Sequence, residues 1–232
     1  MTWFDRAALF TEFDLAAVVF VITAWLLMGW WVENPSAKTP STTKLMAQYR
    51  RLWMQEMITR QPRIFDAQIV ASLRQGTAFF ASTSILALGG MLAVLGNAER
   101  LTLVAGDLVQ TDAPTFVWEV KILLVILLLT NAFLKFVWAN RLFGYVSVVM
   151  ATVPNDLDDL LVEHRSKQAG EINVLAAQSF NRGLRAVYFA LASTAWLAGP
   201  AALTLATCFT IGVIWRREFN SKSRQVLLDT RM

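Results

Sequence analysis

Long apolar runs separated by polar, basic segments dominate the pattern of this chain. The first run extends from Leu15 to Val32 without a charge, and eighteen residues at the helical rise cover about 27 Å, close to the roughly 30 Å of a hydrocarbon core. The residues before it are acidic, and no cleavage site of small residues follows it, so we expect an anchor that is retained rather than a signal peptide. The pattern predicts an all-α, polytopic helical membrane protein.

The last apolar segment decides the number of spans. Ala186 to Trp215 is uncharged and would be about 45 Å long as one helix, but Gly199 and Pro200 interrupt it. If the chain turns there, seventeen Lys and Arg residues fall on one side of the membrane and two on the other, whereas a single kinked span places the basic tail on the poorly basic side. We therefore predict five spans, with four as the alternative.

The predicted organisation is one transmembrane domain over residues 1–232 in a bacterial inner membrane. The basic side is the cytoplasmic one, which puts the N-terminus in the periplasm and the C-terminus in the cytoplasm. The spans cover about 15–32, 77–96, 116–138, 184–198 and 201–215, the inner loops 33–76 and 139–183, and the basic tail 216–232.

The first inner loop contains an amphipathic pattern. After Pro40, either Ser41 or Thr42 can cap a helix. We predict an interfacial helix whose basic residues face anionic inner-leaflet lipid, and a docking surface for a partner protein is the alternative. Its apolar residues recur at spacings of three and four: Leu45, Met46, Tyr49, Leu52, Trp53 and Met57.

Polar residues inside the second and third spans form a candidate intramembrane site. Ionisable groups in lipid are costly and often mark relays or solute pathways. Lysines near span ends also snorkel to the interface. For the ionisable residues of the third span we favour snorkelling or a structural ion pair over a role in conduction or coupling. Asn131 and Lys135 share a helix face that could meet the hydroxyl cluster of the second span. The candidates are Glu119, Lys121, Asn131, Lys135, Ser82, Thr83 and Ser84.

Composition narrows the function classes. Only 16% of the residues are charged, whereas soluble domains carry about 25%. Cys208 is the single cysteine and His164 the single histidine, which excludes an intrachain disulfide and a thiolate cluster and disfavours a Cys/His nucleophilic pair. The pI near 9.5 reflects basic residues that flank apolar segments, so we expect no nucleic-acid partner.

An acidic stretch in the second inner loop raises a metal alternative. Asp156, Asp159 and Glu163 fall on one face of a helix and could bind a divalent cation. Acids in a first helical turn also complement the helix dipole, and Asn155 or Asp156 is a good cap. We therefore predict no metal, no cofactor and no catalytic residue.

Six short motifs occur between the first inner loop and the tail, and they combine aromatic residues with arginine, glycine, proline or hydroxyl residues. They are Tyr49-Arg50-x-x-Trp53-Met54, Phe79-Phe80-Ala81-Ser82-Thr83, Lys135-Phe136-x-Trp138-x-x-Arg141, Phe180-Asn181-x-Gly183-x-Arg185, Trp196-x-x-Gly199-Pro200 and Arg217-Glu218-Phe219. In combination they resemble a family of bacterial and plant membrane proteins catalogued as domain of unknown function number 599. The resemblance covers roughly Phe13 to Phe219, and it implies a polytopic helical membrane protein with about four spans and no assigned activity.

Two classes of function follow from these observations. The first is a non-enzymatic accessory or assembly subunit of the inner membrane, which binds lipid, a protein partner or further copies of itself. The alternative is an oligomeric small-solute or ion pathway through the second and third spans. A membrane enzyme comes third, because the sequence has no nucleophile-base pair and no metal-ligand pair on a helix. We choose the first class by elimination.

Overall fold

The computed structural model describes residues 9–99 and 114–229, and all regular structure in these ranges is helical. The first eight residues, the Arg100 connection and the last three residues lie outside the described part. Two 3-10 turns follow the second and fifth helices, at Met57–Thr59 and Ala195–Ala198. The helices are α1 (Glu12–Glu33), α2 (Thr42–Glu56), α3 (Ile64–Gly96), α4 (Thr115–Ala151), α5 (Leu161–Thr194), α6 (Pro200–Phe219) and α7 (Lys222–Leu228).

Three of these helices, α1, α3 and α4, are long and apolar enough to cross a membrane. They contain the first three predicted spans, which confirms the all-α, membrane-compatible part of the sequence prediction. Their ends extend further than the apolar runs, since α3 begins at Ile64 and α4 continues to Ala151. Helical backbone therefore continues into both segments that the sequence assigned to inner loops.

The chain reverses between α5 and α6. Gly199 has a φ of 113°, a conformation that favours glycine, and Pro200 occupies the first position of α6, where its missing amide hydrogen costs nothing. The Thr43 hydroxyl lies 3.4 Å from Asn181 Nδ2 and 2.8 Å from Glu218 Oε1. One continuous helix would hold Asn181 and Glu218 about 55 Å apart. This geometry excludes the single kinked helix and agrees with a turn at Gly199 and Pro200.

One compact unit comprises Met1–Trp31, Ser84–Ala132 and Leu184–Arg216. Its share of α1 buries Ala17, Val21, Ala24 and Met28, which recur at spacings of three and four and so form one helix face. Small residues in this face allow neighbouring helices to approach closely, as in membrane bundles. The opposite face of α1 is exposed and apolar.

A second compact unit comprises Val32–Thr83, Phe133–Gly183 and Arg217–Met232. The Ser41 hydroxyl caps α2 by accepting from the Lys44 amide at 3.1 Å, so the first of the two predicted caps is confirmed. Helix α2 crosses α5 at Gly170, where an added Cβ would lie 3.5 Å from the Arg51 Cα. The buried apolar cluster contains Met54, Met57, Val70, Val146, Met150, Val153, Val162 and Ala169.

The apolar stripe of α2 is divided between two surroundings. Leu45 and Met57 are buried, whereas Met46, Tyr49 and Leu52 remain about 40 to 50% exposed. Part of the face that the sequence assigned to lipid therefore packs inside its own unit. The reason is the tertiary contact with α5, because packing buries residues that the helical pattern alone cannot distinguish from lipid-facing ones.

Charged side chains connect α2 to later parts of the same unit. Arg51 forms a bidentate pair with Glu171, and accepting those hydrogen bonds holds the pKa of Glu171 below its ordinary value. At the start of α2, Glu218 accepts from the Thr43 amide at 2.9 Å. These contacts hold α2 as a packed helix rather than a flexible connection.

Three aromatic rings meet where α3, α4 and α5 converge in the second unit. The Phe80, Phe136 and Phe180 centroids are 5.4 to 5.5 Å apart, a range typical of tilted and edge-to-face pairs. Gly183 lies directly against this cluster. A Cβ added there would come within 2.7 to 3.0 Å of the Phe136 ring, so the position admits only glycine without a shift of the ring.

Candidate functional site

A reciprocal hydrogen-bond pair opens α1 and places Asp14. The Asp14 amide donates to Thr11 Oγ1 at 3.1 Å, and the Thr11 amide donates to Asp14 Oδ2 at 3.2 Å. This is the arrangement of a capping box, in which a side chain at each end of the first turn satisfies an amide at the other end. The Thr11 hydroxyl also donates to Oδ2 at 2.7 Å. Local sequence therefore fixes the position of this carboxylate.

Trp196 donates a hydrogen bond to the other oxygen of the same carboxylate. Its indole Nε1 donates to Asp14 Oδ1 at 2.7 Å, and the side chain is only 3% exposed. Trp196 lies in the 3-10 turn that follows α5, so the bond connects the start of α1 to the α5–α6 turn. Both carboxylate oxygens of Asp14 are thus engaged by hydrogen-bond donors.

Lys121 of α4 lies beside this pair and is 8% exposed. Its ammonium is 5.0 Å from the centre of the Trp118 ring and 5.9 Å from that of Trp196, within the range of cation-π attraction. The Asp14 carboxylate interacts electrostatically with this ammonium. Within the described residues, however, no carboxylate lies within 4 Å of the ammonium and no group accepts a hydrogen bond from it. A buried ammonium without an acceptor is costly.

A cavity of about 770 Å³ opens next to Lys121. Its walls come from the start of α1, the start of α4 and the turn into α6, all within the first unit. Asp14 and Lys121 are its charged residues, and the remaining lining is mostly apolar. Its lining includes Phe13, Phe20, Trp118, Lys121, Leu197 and Pro200.

Lys121 is the one sequence-predicted residue that lines this cavity. Its enclosure by two indole rings differs from snorkelling, in which the ammonium would extend to the helix end. Asp14 and Trp196 were not among the predicted site residues. The spacing of Thr11 and Asp14 is a readable capping-box signal, whereas nothing local in the sequence indicates that Trp196 meets them.

The other predicted residues lie in varied surroundings. Thr83 is exposed and its hydroxyl donates to the Phe79 and Phe80 carbonyls of its own helix. No hydrogen bond joins Lys135 to Ser82 or Thr83 in the part of the chain that the structure describes. Glu119, Asn131 and Lys135 are half-buried, Ser82 is exposed and Ser84 is buried.

The acidic stretch before α5 supplies a side chain that caps the start of this helix. Asp159 Oδ1 accepts from the Leu161 amide at 2.8 Å, and Glu163 pairs with Lys167 four residues later. The cap is therefore Asp159 rather than the predicted Asn155 or Asp156, because α5 begins later than the pattern suggested. Within residues 9–99 and 114–229, no group of three or more His, Cys, Asp or Glu residues is arranged to hold a metal ion.

Comparison with known proteins gives one match. A family model described as "Protein of unknown function, DUF599" matches residues 16–223, a range that includes Trp118, Lys121 and Trp196. No curated protein and no solved structure matches the chain. Because the matched range covers most of the sequence, the chain belongs to this family of proteins of unknown function, DUF599.

Proposed function

We propose that this protein is a five-span protein of the bacterial inner membrane that acts as a non-enzymatic accessory or assembly subunit. Its N-terminus faces the periplasm and its C-terminus the cytoplasm. The basic α2 helix and tail meet anionic lipid of the inner leaflet, and a membrane helix binds a partner protein.

The topology rests on the distribution of positive charge. Seventeen Lys and Arg residues flank the spans on one side when the last apolar segment is a hairpin, against two on the other. The reversal of the chain at Gly199 supports this arrangement, since it returns the basic end of α6 to the start of α2.

A reporter fusion tests the topology. Alkaline phosphatase, which is active only in the periplasm, should be inactive when fused after Met232 and active when fused after Arg100. A green fluorescent protein fused after Met232 should fluoresce. High phosphatase activity after Met232 would contradict the five-span arrangement.

The observation that supports the accessory role is that most of the apolar surface of α3 is not covered by other parts of the structure. In the most apolar 18-residue stretch of α3, only 6% is buried inside the structure, compared with 44% for the corresponding stretch of α4. Its buried residues Val70, Thr77 and Ser84 recur every seven positions, which places Gly89 and Gly90 away from that face. A Cβ at either glycine would meet nothing within 4 Å among the described residues. In lipid, close packing of small residues drives helix association, so this face suits a helix from another chain.

A glycine substitution tests this role. We expect Gly89→Leu combined with Gly90→Leu to release a copurifying partner and to reduce the particle mass, measured by light scattering in mild detergent, toward that of one 26.0 kDa chain in its micelle. Bulky side chains at these positions prevent close helix approach. The control, Leu92→Phe, changes an exposed residue to the side of this face and should leave the complex intact.

The composition of the wild-type complex decides between the two functions. A second polypeptide in fixed ratio to this chain supports the accessory role. Copies of this chain alone, surrounding a hydrated centre, would contradict it and favour the small-solute or ion pathway through the second and third spans. A single chain in native membranes would contradict both.

A further inference from the structure

We propose that the cavity beside Lys121 binds an anionic amphiphile, with a carboxylate or phosphate head on the Lys121 ammonium and an acyl chain along the apolar wall. This inference goes beyond the accessory role and does not depend on a protein partner. It requires only that the helices lie in a bilayer, where such amphiphiles are present.

The first reason is the unmet hydrogen-bonding capacity of Lys121. Its ammonium carries three donors, the side chain is more than nine-tenths buried, and no described residue accepts a hydrogen bond from it, although two indole rings lie within 6 Å. Asp14 does not fill this need, because its carboxylate interacts with the ammonium only through its charge, with no hydrogen bond and no ion pair within 4 Å between the two described side chains. An oxyanion in the cavity would give the ammonium its acceptor.

The start of α6 supplies a second source of positive potential. Gly199, Pro200 and Ala201 line the same cavity, and α6 is twenty residues long. The first amides of a helix lack intrahelical acceptors and carry the positive end of its dipole, which favours anions. The Trp118 Nε1 adds a further donor, buried and without an acceptor in the described part of the chain. Among the described residues, Asp14 is the one negative group that lines the cavity, and its two oxygens accept hydrogen bonds from Thr11 and Trp196. The donors and positive charges at this end outnumber it, so the end suits a negative group.

The apolar wall indicates that the anion carries a hydrocarbon chain. Phe13 and Phe20 of α1 line the cavity together with Leu197, and Phe13 is 78% exposed at its edge. The cavity is partly open rather than fully enclosed. Its volume of about 770 Å³ falls in the range of ligand pockets, roughly 300 to 1,000 Å³. A small soluble anion would leave this wall unused.

Direct binding to the purified full-length chain tests the proposal. Tritiated palmitate and tritiated phosphatidylglycerol are each titrated against the chain in a non-ionic detergent, with unlabelled competitors. The variants are Lys121→Met, which keeps the volume and removes the charge, and Lys121→Arg, which keeps the charge. Lys135→Met is the matched control, because Lys135 is a second lysine of α4, half-buried, that does not line the cavity.

We expect saturable binding that weakens at least about tenfold in Lys121→Met, is largely kept in Lys121→Arg and is unchanged in Lys135→Met, since a hydrogen bond to a charged group contributes at least this much. Stronger competition by palmitate assigns a carboxylate head, and stronger competition by phosphatidylglycerol assigns a phosphate head. Either result supports the proposal.

Several outcomes would overturn it. These are the absence of saturable binding, equal affinity in Lys121→Met, competition by the neutral hexadecanol as strong as that by palmitate, or full displacement by inorganic phosphate alone. If Lys121→Met fails to fold, the competitor series on the wild-type chain and on Lys121→Arg still decides. Because the assay uses the isolated chain, a missing protein partner leaves its result unaffected.

Discussion

Replacing Asp14 with alanine should cause the largest loss of stability of any single change considered for this protein. The buried Trp196 indole would lose its acceptor, which costs about 1 to 3 kcal/mol, and the Thr11 amide would lose the carboxylate that accepts its hydrogen bond in the capping box. Lys121 would also lose its nearby opposite charge. Thermal unfolding of the purified chain in detergent, followed by tryptophan fluorescence, measures the effect.

Asp14→Asn is the matched control, because the amide oxygen can still accept from Trp196 while the charge is removed. We expect it to retain much more stability than Asp14→Ala. The loss in an Asp14→Ala, Trp196→Phe double variant should be smaller than the sum of the single losses, since both remove the same bond. If the Asp14→Ala variant unfolded at the same temperature as the wild type, the structural role assigned to this carboxylate would be contradicted.

Gly183→Ala should give the second largest loss, about 1 to 3 kcal/mol, because overfilling a packed cluster forces neighbouring groups out of place. The added Cβ would press on the Phe136 ring, which Phe80 and Phe180 hold from other sides. Chemical unfolding of the two proteins in the same detergent provides the comparison.

Gly212→Ala is the control for the glycine prediction. It lies in α6, where an added Cβ meets nothing within 4 Å in the described part of the chain. Alanine is the better helix former by up to about 1 kcal/mol, so this variant should be unchanged or slightly more stable. Equal behaviour of the two variants would show that the Phe136 ring yields easily.

The sequence predicted the membrane-compatible helices because uninterrupted apolar runs identify them directly. It did not predict where they end, since α3 begins at Ile64 and α4 ends at Ala151, and both residues lie outside the apolar runs that place the spans. The turn at Gly199 was predictable from glycine and proline together with the charge count. The division of the α2 stripe was not, because helical periodicity is the same for residues that face lipid and residues that face protein.

The candidate site was only partly readable. Lys121 was predicted as a site residue because it is a charged residue next to an apolar run. In the structure its ammonium lies against two indole rings, which stabilise it by cation-π attraction. Asp14 read as part of an acidic leading segment, and Trp196 read as an interfacial aromatic residue. Their hydrogen bond spans 182 positions of sequence, and contacts of that separation depend on how helices pack rather than on any local pattern.

The bond between Thr43 and Glu218 has a consequence for biosynthesis. The two residues are 175 positions apart, so at about 5 to 20 residues per second α2 is made roughly 10 to 35 seconds before the carboxylate that serves its first turn. A nascent or truncated chain that lacks the end of α6 would present the start of α2 without this acceptor. Completion of α6 therefore supplies the acceptor that holds the start of α2 in place.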